Sequence, residues 1–130
     1  MAIPLQSLSG TEVLRRGGVQ SQSNATTEIK FDGTLTAPAN TSNVVPANHI
    51  ITILSIFVCE QGDAAEAFTF WMNESGGGAV YLIQHQGIGP FQTYIWNDPI
   101  TLVGGDKLSV YLQNAGNVDI WVSYIDQSWV

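Results

Sequence analysis

Short apolar stretches, separated by clusters of Gly, Pro, Asn and Asp, follow one another from residue 26 to the end of the chain. No stretch of ten residues has the 3.6-residue periodicity of an amphipathic helix. Two stretches, Lys107–Gln113 and Val118–Ile125, place apolar side chains on alternate positions, the pattern of a strand with a buried face. The sequence therefore predicts an all-β protein, an antiparallel β-sandwich of about eight strands with a jelly-roll-like arrangement.

Turn signals set the bounds of the predicted strands. The strands are Thr27–Phe31, Gly33–Thr36, His49–Glu60, Ala67–Asn73, Ala79–His85, Phe91–Trp96, Ile100–Val103, Lys107–Gln113 and Asn117–Gln127. We expect Asn114–Gly116 to join the last two strands as a β-hairpin, and Ser75–Gly78 to form the tip of another hairpin.

The first 25 residues differ from the rest of the chain. They contain at most one short strand, at Thr11–Arg16, and Gly17–Asn24 has the composition of a linker. Residues 1–30 carry three cations and two acids, whereas residues 31–130 carry one cation and nine acids. We therefore expect residues 1–25 to form an extended arm that contacts another molecule, and residues 26–130 to form the sandwich domain. The alternative for the arm is a solvated tail.

The stretch His49–Glu60 is apolar on both faces, which indicates a strand covered on both sides. In a small antiparallel sandwich the second cover often comes from another subunit or from a folded-back arm. Large amphipathic aromatic residues are enriched at such interfaces. The sequence thus predicts a homo-oligomer, with these subunit-interface or ligand-binding aromatic residues: Trp71, Tyr94, Trp96, Trp121 and Trp129.

Charge is scarce, with four cationic and eleven acidic residues among 130 and a net charge of −7. Four cations cannot neutralise a run of phosphates, so binding of nucleic acid through a basic surface is excluded. No apolar run approaches the length of a membrane-spanning helix, and residues 1–5 lack the basic start of a signal peptide. We expect no contact with a membrane and synthesis in a cytoplasm.

No combination of residues predicts catalysis, a metal site or a cofactor. The zinc-ligand types His49, His85 and Cys59 have no paired spacing. Glu60, Asp63 and Glu66 surround one loop and leave calcium open, although loop acids are more often solvated turn residues. The chain has no Gly-x-Ser-x-Gly motif. We expect a protein that is not an enzyme.

The segment Phe91–Trp96 combines aromatic and uncharged polar residues, a composition that also suits the stacking of sugars. The alternative is that alternate residues of this segment, Phe91 and Ile95 among them, belong to the core.

Several elements between Val45 and Gln127 occur in a familiar order. A long strand, His49–Cys59, precedes the turn Gly104-Gly105-Asp106-Lys107-Leu108, and Val122-Ser123-Tyr124-Ile125 lies near the end. This order resembles small β-sandwich virion proteins of tailed bacteriophages, which occur as head decoration (cement) proteins and as modules of tail proteins. In the turn, the glycines supply unusual backbone angles and Asp106 is placed to bond neighbouring backbone amides.

The resemblance implies a decoration protein on the capsid surface of a virion, a homotrimer that binds the major capsid protein and stabilises the shell. In such proteins the N-terminal arm often reaches across the capsid. The expected contact residues in this arm are Ile3, Leu5, Arg15 and Arg16. The alternative implied by the same resemblance is a tail or fibre module that binds a host receptor or glycan through loops such as Gly87–Trp96.

Overall fold

Ten β-strands and no helix make up the described part of the chain. The computed structural model describes residues 10–22, 26–31, 35–36, 44–114 and 117–129. The strands are β1 (Gly10–Gln22), β2 (Thr26–Glu28), β3 (Leu35–Thr36), β4 (His49–Glu60), β5 (Glu66–Asn73), β6 (Ala79–Ile88), β7 (Thr93–Trp96), β8 (Ile100–Val103), β9 (Lys107–Leu112) and β10 (Val118–Trp129).

The strands form two sheets. The first sheet has the order β3-β1-β10-β4-β7, and β8 pairs with β4 beside β7. The second sheet has the order β2-β9-β5-β6. The pairs are antiparallel, apart from a two-residue parallel contact between β1 and β3. The predicted all-β antiparallel sandwich is therefore confirmed, with ten strands in place of about eight.

The core lies between the sheets and is built from the inward-facing residues of both. Strand β10 contributes every second residue, Val118 to Tyr124, and β9 contributes Leu108, Val110 and Leu112. The aromatic rings meet edge to face, with Phe31 and Tyr124 at 5.3 Å between centroids and 88° between planes. These inward positions are the apolar positions of the two alternating stretches, so the period of two places them in the core.

The predicted hairpin at Asn114–Gly116 is wrong. Strand β9 pairs with β5 and β2 in the second sheet, whereas β10 pairs with β1 and β4 in the first. The link between β9 and β10 therefore crosses from one sheet to the other. Each of two consecutive strands with one buried face alternates apolar and polar residues. This alternation is the same whether the strands form a hairpin in one sheet or lie in opposite sheets, so it cannot tell the two arrangements apart.

Strand β1 is longer than predicted. It runs for 13 residues and pairs with β10 from Gly10 opposite Trp129 onward. The linker interpretation of Gly17–Asn24 is thus wrong as far as Gln22. Gly18 fits here because a Cβ on it would collide with the carbonyl oxygen of Ile120 on β10. Residues 1–9 and 23–25 lie outside the described residues, and the boundary at residue 25 stays a prediction.

Two turns agree with their sequence signals. Gly105 has a φ of 94°, a backbone conformation that side chains disfavour. The buried Asp106 carboxylate accepts hydrogen bonds from the backbone amides of Val103 (2.9 Å) and Ser75 (3.2 Å), as expected. The tip at 75–78 joins β5 and β6, where the amide of Glu74 donates to the carbonyl of Gly78 at 2.8 Å.

Candidate functional site

The outward side of the first sheet is rich in exposed apolar side chains. Register places Phe57 of β4 opposite Trp121 of β10 on one side and opposite Ile95 of β7 on the other. Phe57 is 42% exposed and Ile95 is 50% exposed. The apolar outer face, as we name this surface, consists of Leu14, Leu54, Phe57, Ile95, Val103, Trp121 and Ile125.

Strand β4 shapes this face through a bulge. Ser123 of β10 lies opposite Ser55, but the next residue, Tyr124, lies opposite Ile53, so Leu54 is an extra residue on β4. An extra residue bends the strand and re-aims its side chain. Leu54 is exposed beside a broad hollow of about 680 Å³ that Leu14 and Trp121 also line.

Arg16 lies at the apolar outer face, where its charged group contacts an aromatic ring. The guanidinium carbon of Arg16 lies 5.1 Å from the centroid of the Trp121 ring. This cation–π contact holds a cation of β1 over β10. The predicted contact residue Arg16 therefore lies on the same surface as the predicted interface residue Trp121.

Arg15 also borders the hollow beside the apolar outer face, but its charge is paired within the chain. Its Nε lies 3.3 Å from Oδ2 of Asp126. Asp126 is buried, with 5% of the residue exposed. Nδ1 of His49 lies 2.7 Å from the other oxygen, Oδ1. Asp126 thus joins β1, β10 and β4, and these contacts support a structural role for Arg15. The other predicted arm contacts, Ile3 and Leu5, lie outside the described residues.

The outward side of the second sheet carries a different surface. Trp71 of β5 lies opposite Tyr81 of β6, and their ring centroids are 5.9 Å apart at 43°. Tyr111 of β9 lies opposite Thr69, the residue two before Trp71 on β5. Side chains of these three strands enclose a shallow hollow of about 200 Å³ whose lining includes no Asp, Glu, Lys or Arg. Trp71 also lines a neighbouring hollow of about 520 Å³.

The remaining predicted aromatic residues lie in two settings. Tyr94 and Trp96 pack against the core, and Trp96 Nε1 donates to the carbonyl of Asp98 at 2.8 Å. Phe91 and Ile95 are exposed, so the alternative that placed these two in the core is wrong. Trp129 is exposed at the end of β10.

The acidic residues near the loop at 61–65 do not form a metal site among the described residues. Oε1 of Glu60 accepts from the amide of Gly62 at 2.7 Å, and Oε1 of Glu66 accepts from the amides of Ala67 and Asn114. Across the described ranges, no group of three or more His, Cys, Asp or Glu residues is placed to hold a metal ion. Glu60 thus bonds the backbone of this loop, whereas Glu66 bonds the backbone of β5 and of the segment after β9.

Within the described part of the chain, no helix is long and apolar enough to cross a membrane.

Comparisons with known proteins give fold-level likeness at low similarity. No protein-family model matches the chain, and no curated protein matches its sequence. The globular domain of zebrafish complement 1qA is similar at 10% identity and a TM-score of 0.44, over 88% of this chain and 94% of that one. The TNF Eiger from S. frugiperda has 11% identity and a TM-score of 0.39, over 95% and 92%. A pentameric capsid protein from metagenomic phage sequences has 16% identity and a TM-score of 0.36, over 98% and 64%.

The structural neighbours thus include a capsid protein from phage sequences.

Sequence reasoning missed most members of both surfaces. The two-sided apolar pattern of His49–Glu60 indicated a covered outer side, but strict alternation puts Leu54 and Phe57 on opposite faces, and this is wrong because the bulge at Leu54 leaves both exposed. Tyr81 carried no separate signal. Its position opposite Trp71 depends on the register of β5 and β6, which the residue pattern does not specify.

Proposed function

We propose that this chain is a structural protein of a bacteriophage virion, a decoration (cement) protein that self-associates through the apolar outer face and binds the outside of the major capsid shell. The observation that carries the proposal is the exposed apolar face around Phe57 and Trp121. The resemblance of the segment Val45–Gln127 to virion proteins supports the location. The protein acts by binding and performs no catalysis.

The size of the apolar outer face suits a specific protein contact. Strands β4 and β10 have twelve residues each, and about 3.3 Å per residue gives about 40 Å of length. Four neighbouring strands at about 4.8 Å spacing add about 19 Å of width. The outward side of these four strands, which includes polar residues such as Ser55 and Ser123, therefore measures on the order of 700 Å². A standard interface buries roughly 800 Å² on each partner, so one contact takes up the whole of this side.

A second copy of the chain is the occupant that this face requires. Soluble monomers rarely expose a contiguous apolar patch larger than a few hundred Å². A decoration protein is synthesised before it meets a shell, so the cover available at that stage is another copy of the same chain. A homotrimer is the expected assembly, in line with the resemblance, with the apolar outer faces of three copies turned toward a common three-fold axis so that each is covered by its neighbours.

Contact with the shell is assigned to other parts of the molecule. The apolar outer face is covered in the oligomer, and Arg15 is bound to Asp126 within the chain. The arm contact then depends on residues 1–9, which include Ile3 and Leu5. The surface buried between each copy and the shell, repeated around the capsid, stabilises the shell without any chemical step.

Binding to shells that lack the protein tests this proposal. We expect the purified oligomer to sediment with such shells and to raise the temperature at which they open. Quantitative gel analysis of purified particles is expected to give many copies per head. A few copies per particle, or a location at the tail, would contradict the decoration role and favour the tail or fibre module.

Truncation of residues 1–9 tests the arm separately. This deletion leaves β1 intact, whereas deletion of residues 1–25 removes the strand that pairs with β10. We expect the truncated protein to keep its oligomeric mass and to bind shells more weakly. Unchanged shell binding would contradict the role of Ile3 and Leu5.

A further inference from the structure

We propose that the outward side of the second sheet binds a neutral oligosaccharide across Trp71. This inference goes beyond the proposed function and does not depend on it, because the site lies on the opposite sheet from the apolar outer face. The site, which we name the Trp71 groove, consists of the two hollows that share Trp71.

Three aromatic side chains give the Trp71 groove its chemistry. Trp71 and Tyr81 lie side by side on β5 and β6, and Tyr81 is 56% exposed. Tyr111 lines the same hollow from β9. The face of an aromatic ring is electron-rich and attracts the polarised C–H groups of a sugar ring, while the ring also buries apolar area. Exposed aromatic rings beside polar groups are therefore a platform for pyranose rings.

Polar side chains surround these rings. Gln84, His85 and Gln113 line the smaller hollow and supply donors and acceptors for hydroxyl groups. In the larger hollow, Ser109 Oγ donates to Oδ1 of Asn73 at 3.1 Å, which fixes the orientation of the Asn73 amide. Ligands that match such a surface are rich in hydroxyl groups.

The charges near the Trp71 groove select a neutral ligand over an acidic one. The larger hollow contains Glu28 and Lys107, whose charged atoms are 3.2 Å apart, together with Glu74. The cation is thus already paired, and the second acid leaves the hollow negative. An acidic glycan or a phosphate meets repulsion here, and the chain as a whole carries −7.

The backbone of β6 is distorted where it borders the groove. Phe68 lies opposite Gln86 and Phe70 lies opposite Ile83, so two residues of β6, Gln84 and His85, face the single residue Thr69. His85 has a φ of 50°, which is uncommon for a residue with a side chain, and its amide donates to Oγ1 of Thr69 at 3.1 Å. Bulges and unfavourable backbone angles concentrate at binding sites, where they re-aim side chains.

The length of the groove fits an oligosaccharide better than a single sugar. From Lys107, the first residue of β9, to Gln113, which follows its last residue, the chain advances six residues, about 20 Å at about 3.4 Å per residue. The two hollows lie along this direction, one on each side of Trp71.

A printed array of neutral and acidic oligosaccharides tests the inference with the full chain. We expect saturable binding to one or more neutral oligosaccharides. The variants Trp71→Ala and Tyr81→Ala are expected to bind the same spots at least about tenfold more weakly. The matched control Trp129→Ala, an exposed tryptophan at the end of the first sheet, is expected to bind like the wild type.

Thermal melting followed by circular dichroism shows whether each variant is folded. If Trp71→Ala does not fold, the binding of Tyr81→Ala decides the outcome. Binding confined to acidic glycans, no binding to any spot, or equal binding by wild type and Tyr81→Ala would each overturn the inference. Loss of shell binding in Tyr81→Ala without any array signal would also overturn it and assign the groove to a protein partner. Both variants keep the oligomeric mass if the apolar outer face is the subunit contact, so the two proposals fail separately.

Discussion

Phe57 of β4 lies directly opposite Trp121 of β10, and both side chains point away from the core of the sandwich. The adjacent residues along the two strands, Val58 and Ile120, lie opposite each other, point inward and are fully buried. The same two strands therefore present apolar side chains on both sides. One side packs against the second sheet, and the other is exposed in the single chain.

Cys59 provides a chemical probe of this surface. It lies on β4, opposite Asp119 and Thr93, two residues from Phe57 on the same outward side, and it is half-buried in the isolated chain. We expect a maleimide reagent to modify Cys59 slowly in the wild type, because the neighbouring subunit covers it. The reaction is expected to be faster in Phe57→Lys.

The modification rate of Cys59 in each folded protein is divided by the rate for the same protein in denaturant, which corrects for differences in reagent concentration and reactivity. Equal rates for folded wild type and folded Phe57→Lys would contradict the placement of Cys59 within the subunit contact.

Asp126 is expected to contribute strongly to the stability of the first sheet. Its two oxygens contact His49 and Arg15, and the residue is buried. Replacing Asp126 with Asn removes the charge while keeping the shape, so both contacts weaken. We expect the free energy of unfolding in urea to fall by about 2 kcal/mol.

This measurement is made in the Phe57→Lys background, so that dissociation of subunits does not contribute to the unfolding transition. The matched control is Asp63→Asn, at an exposed loop position, with an expected change within about 0.5 kcal/mol. A similar small change for Asp126→Asn would mean that the carboxylate does not join the strands as described.

The turn before β9 is expected to require glycine at one position. Gly105 has a φ of 94°, and a Cβ there would lie 2.5 Å from Cβ of Ser75. We expect Gly105→Ala to lower the free energy of unfolding by about 1–3 kcal/mol. Gly76→Ala, at a position where nothing lies within 4 Å of the added atom, is expected to change it by less than about 0.5 kcal/mol. Equal effects of the two substitutions in urea unfolding would contradict this explanation.

The residue pattern predicted much of the fold because strands and turns are local features. The bounds of His49–Glu60 and Ile100–Val103 agree with β4 and β8. The two-sided apolar pattern of β4 also indicated that something covers its outward side. The assignment of strands to sheets is not local, and the wrong hairpin between β9 and β10 follows from that.

The orientation of β7 shows a second limit. Phe91 and Ile95 alternate with Tyr94 and Trp96, and both sets are apolar or aromatic. The pattern therefore allows either face to point inward. Pairing with β4, which places Tyr94 opposite Val58 and Ile95 opposite Phe57, decides between them.

The Trp71 groove was outside the reach of sequence reasoning for a different reason. It combines residues of β2, β5, β6 and β9, and its shape depends on the bulge at Gln84 and His85. The position of a bulge follows from how two strands meet, and the polar segment around His85 carried no signal for it.

Sedimentation equilibrium of the purified chain tests the central claim, that the apolar outer face joins copies of this protein. We expect the wild type at micromolar concentration to have a mass three times that of the 14.0 kDa chain. Phe57→Lys is expected to have the mass of a single chain, because it places a charge in the contact. Phe91→Lys, at an exposed aromatic residue outside the apolar outer face, is expected to retain the wild-type mass. A monomeric wild type, or a folded Phe57→Lys that keeps the oligomeric mass, would contradict the claim.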